Sequence, residues 1–517
     1  MRMRQNKLQS RTYNVTKNAF WGVTLQILTV LCQFVTRTIF VKLLGQEYLG
    51  VNDIFFNILQ LLSITDLGIG TAIAFCLYKP IAENDEEKIL AIMQFYKKAF
   101  FVIASMVGIL GLCLIPFLDV IIKDTPDIKE NLITVYLMYL LFAVSSYFFS
   151  YKRTLITADQ KDYIVNIYYK ITYFLQIGLQ IVVLITTHNF MLYLTMQIVC
   201  TVLYNFLTAR KADRMYPYLK QKKKVRLDNT LLNSIKENVK SLIFYRIGDA
   251  LLNSIDNLLM SALVGVISVA VCSNYLLIQK SVTEFIRLMV NSFTASIGNL
   301  NAVGDKESQE KIFRQTYIIT HWLYGFLTVG IITCATPVIK LWFGDSFVMA
   351  ESIIFAMAFR NYIEGMQYIP YTYRTTAGFL SEYRFAPMVA AGINIVLSIL
   401  FSKFWGVAGI FLATIVARLL TTTWINVVVV YQKSFEKSSK EFLFTMCKYL
   451  LQLLIVTIIT QYVLEYITLG GILEVLVKII LCTVLCNGLF FVFMWRNPDF
   501  KLLFRRVCDF VISFIKK

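Results

Sequence analysis

Charge is scarce in this chain. Of 517 residues only 16% are Asp, Glu, Lys or Arg, against about 25% in soluble domains. Histidine is scarcer: His188 and His321 stand far apart. Each suits a structural or rim role better than a metal-ligand role, so a histidine-based metal site is not expected. The ten cysteines are scattered, mostly inside apolar segments, with no CxxC pair. They read as small buried hydrophobes. No loop holds a paired-carboxylate or nucleophile–base motif, so no catalytic residue is assigned and no enzyme activity is expected. Short alternating segments are also missing, which excludes a closed β-barrel. Prolines are few and sit mostly near the ends of apolar runs, as at Pro80, Pro116, Pro337, Pro370 and Pro387. They can act as hinges, and helix termination explains them equally well.

What is present is a succession of long apolar runs. The chain is 57% hydrophobic, and runs of 18 or more apolar residues recur from end to end. The fold class is an all-α polytopic membrane protein. Fourteen spans are predicted, near 18–41, 51–78, 99–118, 132–151, 163–186, 190–208, 241–264, 268–298, 316–336, 350–370, 385–402, 405–430, 449–465 and 472–495. The basic stretch 1–17 precedes a run too long for a signal-peptide core, so this run reads as a retained first span. The Asn14-Val15-Thr16 sequon falls on the side read below as cytoplasmic and is discounted.

The net charge of +18 suggests nucleic acid in a soluble protein. Its placement argues otherwise. Counting Lys and Arg outside the spans puts 37 on the side of the termini and even-numbered loops and 5 on the other. Such a bias places both termini in the cytoplasm. The surplus charge is a topology signal, and no nucleic-acid partner is expected. The opposite loops are short, the longest being near 119–131, which disfavours an external polymerase or glycosyltransferase.

The basic loop 209–240 divides the chain. Residues 1–208 form an expected six-helix bundle and 241–432 a second. Residues 433–517 add two helices and a basic tail. Each bundle opens alike: Leu43-Leu44-Gly45 and Leu263-Val264-Gly265 each end a helix and lead at once into a long one. Transporters are often built from such repeats.

Eight basic residues fall inside spans. Each costs about 2.5–3.5 kcal/mol at a helix centre exposed to lipid. Lys170, Arg418 and Lys478 lie near enough to span ends to snorkel. The others form stripes. Arg246, Asp249 and Asp256 share one face of span seven. Lys280, Glu284 and Arg287 share one face of span eight. Arg360 and Glu364 are an i, i+4 pair in span ten. Arg37 lies deep in span one with Gln33 and Gln26 on its face, and Asp66 can join the set. Stripes on several helices suit a shared aqueous cavity, slightly basic overall. Structural ion pairs between helices are the alternative reading of the same spacing. Arginine's fork matches phosphate oxygens, so the expected substrate is a large anion bearing phosphate.

The stretch YLGVNDIFFNILQLLSITDLGIGTAIAFCLYKPIAENDEEKI (48–89), with IDNLLMSALVG and SNYLLIQKSVTEFIRLMVNSFTASIGNLNA (273–302), resembles the Wzx-type flippases of the multidrug/oligosaccharidyl-lipid/polysaccharide exporter superfamily. The resemblance implies two helical bundles around a central cavity in a bacterial plasma membrane. It implies a substrate of oligosaccharide on undecaprenyl pyrophosphate, flipped to the outer leaflet for capsule or other surface polysaccharide. It implies pyrophosphate binding by Arg37, Arg246, Lys280 and Arg287, to which the cavity reading adds Arg360. Asp66, Asp249, Asp256, Glu284 and Glu364 are the cavity carboxylates, any of which can carry a coupling H+ or Na+. No other cofactor is expected. Membrane lipids and polysaccharide-assembly proteins are the expected partners. Three alternatives stand: an ion-coupled multidrug exporter, a flippase for the peptidoglycan precursor lipid II, and a membrane scaffold. The lack of a carboxylate in span one weighs against the first.

Overall fold

A computed structural model describes residues 24–63, 69–123, 126–159, 161–221, 225, 232, 247–252, 254–303, 306–377, 379 and 385–505. In the chain's first half the helices are α1 (Thr24–Leu44), α2 (Gln46–Leu62), α3 (Ile69–Ala82), α4 (Glu86–Leu114), α5 (Leu132–Ser146), α6 (Tyr151–Ala158), α7 (Asp162–Thr187) and α8 (Phe190–Met215). In the second half they are α9 (247–263), α10 (Val266–Val303), α11 (Lys306–Phe343), α12 (Glu351–Met366), α13 (Tyr368–Thr376), α14 (Ala386–Leu420), α15 (Thr422–Val429), α16 (Lys440–Glu465) and α17 (Gly471–Met494). Among the described residues there is no strand.

Among the described residues nine helical segments are long and apolar enough to cross a membrane, or ten with the bent pair α5–α6. One of these runs from Ala386 to Phe435 and holds two predicted spans. Gly406, at φ 53°, turns the chain between them. Gly409 then packs against the Phe401 carbonyl, where a Cβ would clash. The other three predicted spans fall on α2–α3, α9 and α12–α13. The last three are shorter, broken or more charged, as helices lining an interior are.

Several helices outrun their apolar cores. α4 starts at Glu86, well before the predicted 99, because Asp85 caps it by accepting from the Lys88 N–H at 3.0 Å. α8 continues to Met215, into the predicted linker. α10 and α11 each run 38 residues. These extensions carry polar residues such as Glu86, Arg214 and Glu310.

Gly45 and Gly265 have φ of 97° and 137°, backbone that side chains resist, and each makes the corner into the next helix. Beyond these corners α2 packs along α10, so close that a Cβ on Gly50 would strike Val266. The contacts joining residues 24–221 to residues 247–505 cluster towards the charge-poor side. Phe34 stacks on Trp342 at 4.4 Å, and Trp342 donates to Thr38 at 2.6 Å. Ser261 donates to the Ile121 carbonyl at 2.8 Å and Lys123 to the Leu263 carbonyl at 3.2 Å. Large apolar side chains such as Phe101, Phe404 and Phe444 stay more than 70% exposed, which a lipid environment would satisfy.

Candidate functional site

The corner at Gly45 folds α2 back beside α1 and brings Asp53 to Arg37. The Arg37 guanidinium meets Asp53 through two hydrogen bonds, 2.9 Å from Nη2 and 3.3 Å from Nη1. Its Nε donates to Asn274 at 2.9 Å, and Nη2 also donates to Ser273. Asn274 and Ser273 belong to α10, so one side chain ties together both halves of the chain. Asp53 was not among the sequence candidates. It lies sixteen residues from Arg37, on the next helix, where no helical spacing points to it.

From Ser273 a stripe continues down α10 at seven-residue intervals, through Lys280 to Arg287, all on one face. Lys280 is solvent-accessible. It makes no hydrogen bond or ion pair among the described residues. The charges acting on it come from both halves: Arg360, Asp53, Glu364 and Arg37. Arg287 lies 3.8 Å from Glu284 and 3.5 Å from Glu364. Both Arg287 and Glu284 keep about half their surface open.

Span ten departs from the expected local pairing. Arg360 turns away from Glu364, and its Nε lies 3.1 Å from Asp256 Oδ2 on α9. Glu364 instead stands 3.5 Å from Arg287 and 3.9 Å from Arg418. Arg418 is 4% exposed, so it does not snorkel to an interface as its sequence position suggests. Its carboxylate neighbour holds it inside.

Asp256 is 3% exposed and sits among α9, α12 and α14 in a dry network, not in an open cavity. Asn394 donates to it at 3.1 Å, and Thr414 lies 2.9 Å from both its oxygens. Ser398 donates to Asn394 at 3.0 Å. Oxygen donors converge there, and the Arg360 guanidinium takes the cationic place. Among the described residues no group of three or more His, Cys, Asp and Glu side chains could hold a metal.

Of the other candidates, Asp249 is half-buried on α9. Arg246 and Asp66 lie outside the described residues. Lys170 donates to Thr29 at 2.8 Å, and Lys478 pairs with Glu474 at 2.7 Å. His321 is fully buried, 2.7 Å from the Tyr362 hydroxyl and stacked on Tyr449, while His188 is exposed at the end of α7. Both placements are structural.

The arrangement is a chain of alternating charge running from α1 and α2 through α10 to α12 and α14. Arg37, Arg287, Arg360 and Arg418 have carboxylate partners. Lys280 stands among them as the one cation of the stripe without a partner among the described residues. Such a group can meet an anion without first breaking a protein contact.

No family model and no curated protein sequence matches the chain. Solved structures do. An inward-facing multidrug resistance MATE family transporter of the MOP superfamily superposes with a TM-score of 0.61 at 15% identity, over 76% of this chain and 93% of its own. The lipid II flippase MurJ in an inward closed conformation gives 0.56 at 13% identity, over 90% of this chain and 99% of its own. An outward-facing MATE transporter gives 0.52 at 14% identity, over 78% and 92%. The chain therefore has the fold of the MOP-superfamily transporters. The MurJ likeness extends over more of the chain than either MATE likeness.

Proposed function

We propose that this protein is a flippase that carries undecaprenyl-pyrophosphate-linked oligosaccharide from the inner to the outer leaflet of a bacterial plasma membrane, for capsule or other surface polysaccharide. The observation that carries this reading is Lys280: an accessible, unpartnered cation between two paired clusters on an interior face of α10. The pyrophosphate would meet Lys280 first. Arg37 and Arg287 would join by exchanging Asp53 and Glu364 for phosphate oxygens, a trade of one charge-assisted bond for another. The sugars would lie among the polar side chains and the lipid tail would remain in the bilayer. Alternating access would open the interior to one side at a time, and the contacts clustered near Gly50 and Trp342 support a state closed on the charge-poor side.

Energy can enter by two routes. Outward movement of an anion gains about 2.3 kcal/mol per charge per 100 mV when the inside is negative. A coupled Na+ or H+ is the second route. Of the carboxylates, Asp256 has the oxygen surroundings for a cation, which would replace Arg360 there.

The test is the leaflet location of labelled undecaprenyl-pyrophosphate oligosaccharide in vesicles with and without the protein. Movement that depends on the protein and weakens in Lys280→Gln supports the reading. Absence of movement, with efflux of cationic drugs from the same vesicles, would favour the multidrug exporter that the MATE likeness brings to mind. Preference for lipid II over oligosaccharide carriers would favour the peptidoglycan-precursor role.

A further inference from the structure

A cavity of about 250 Å³ lies away from the charge stripe, on the side of the basic loops, between the start of α11, the start of α16 and the residues after α17. Arg314, Lys448 and Arg496 line it, with the Asn497 amide beside them, while the Thr445 hydroxyl is spent on the Glu441 carbonyl at 2.9 Å. None of these residues belongs to the stripe. Arg314 is fixed in place by Glu310 at 2.6 Å. Lys448 and Arg496 have no ion-pair partner among the described residues. Three cations around a space smaller than the ~300–1,000 Å³ of drug-sized sites suit one compact anionic group.

Exposed apolar side chains flank the cavity. Phe444 and Leu451, at i−4 and i+3 from Lys448, share its helix face and are 75% and 58% exposed. Trp495, just before Arg496, is exposed as well. Two of the cavity's cations thus rise from surfaces that acyl chains would cover. Tryptophan and snorkelling lysine side by side mark the depth of lipid headgroups. Asp499 is a carboxylate that lines the same cavity. Burial pushes its carboxyl above the ordinary range, despite Arg314 and Lys311 nearby, and three cations outnumber this one carboxylate.

We infer that this cavity binds the phosphate headgroup of an anionic phospholipid of the leaflet on the basic-loop side, with its acyl chains along Phe444 and Leu451. Basic pockets between membrane helices on that side bind such headgroups by the same chemistry. The bound lipid would brace the pair α16–α17 against α11.

The probes are phosphatidylglycerol, phosphatidylcholine and inorganic phosphate. The full-length protein is reconstituted in mixed phosphatidylglycerol–phosphatidylcholine nanodiscs, and the lipids retained after release are read by native mass spectrometry. We expect retention of phosphatidylglycerol in preference to phosphatidylcholine. The double variant Lys448→Gln/Arg496→Gln should bind it about thirtyfold more weakly, roughly fivefold per cation removed. Lys123→Gln/Lys340→Gln, which removes two charges on the opposite side, should leave retention unchanged. Thr445→Phe, which fills the cavity without changing charge, should also lose the lipid, and it carries the test if the double variant fails to fold. Excess inorganic phosphate should not displace the lipid, because the acyl chains add to its hold. No preference in the native protein, an equal loss in the Lys123/Lys340 control, or full displacement by phosphate would each overturn the assignment, the last pointing to a free-anion site.

Discussion

Arg37 on α1 and Asp53 on α2 face each other across the Gly45 corner with two hydrogen bonds, and the same guanidinium holds Ser273 and Asn274 on α10. Both members of the pair are 15% exposed. Removing one of a nearly buried pair strands the other, at about 3–5 kcal/mol. Arg37→Gln and Asp53→Asn should therefore each lower thermal stability. The exchange Arg37→Asp/Asp53→Arg should recover much of it. If the guanidinium meets substrate from α1, the exchanged protein folds and yet transports poorly, and full transport by it would reduce Arg37 to a structural tie.

Lys280 offers the cleaner separation. Among the described residues it has no partner to strand, so Lys280→Gln should leave the thermal midpoint unchanged or raise it. Affinity for the lipid-linked pyrophosphate should fall at least tenfold, about 1.4 kcal/mol, in a binding titration against the undecaprenyl-pyrophosphate carrier. A variant that loses stability and binds normally would refute the role given to Lys280.

Asp256→Asn should destabilise by about 3–5 kcal/mol, because Arg360 loses its countercharge in a dry setting. Asp256→Asn/Arg360→Met should regain stability in a denaturation series, since replacing a whole buried pair is often neutral. If Asp256 couples transport to an ion, this double variant moves substrate without response to a Na+ or H+ gradient.

Asp499 supplies a pH dependence. Its folded-state pKa lies above the unfolded value, with burial as the main cause. The folded state then holds more protons between the two values, so stability falls as pH rises through that window. Above the window the ionised carboxylate is a standing cost. Asp499→Asn should match or exceed the native thermal midpoint at neutral pH. The difference should vanish as pH falls towards the ordinary aspartate value of about 3.9.

Gly50 tests the seam. A Cβ there meets both side chain and backbone of Val266, and backbone cannot yield. Gly50→Ala should part α2 from α10 on the charge-poor side, raising labelling of single cysteines introduced near Ser273 by impermeant reagents added from that side.

Much of the fold was legible because apolar length is a local property. Each span announces itself within about 20 residues, and Gly45 and Gly265 mark the tight links that open each bundle. The helical overhangs of α4, α10 and α11 were not legible, since their polar turns look like loop. The site divides along the same line. Glu284 and Arg287 are neighbours on one helix and could be read as such. Arg360 and Glu364 could be misread for that reason: their spacing permits a pair, yet each found a better-placed partner on another helix. Asp53, Asn394, Thr414 and the burial of Arg418 depend on which helices meet, information that no window of one helix contains.

The length of α10 has a mechanical consequence. At 38 residues it measures about 57 Å, nearly twice the ~30 Å hydrocarbon thickness. Its close approach to α2 begins at one end, where a Cβ on Gly50 would strike Val266. A tilt of about 10° about that contact would sweep the far tip through about 10 Å, while Ser273, two turns from the contact, would hardly move. A helix tilting in this way would act as a lever, with Lys280 and Arg287 at increasing radius along it.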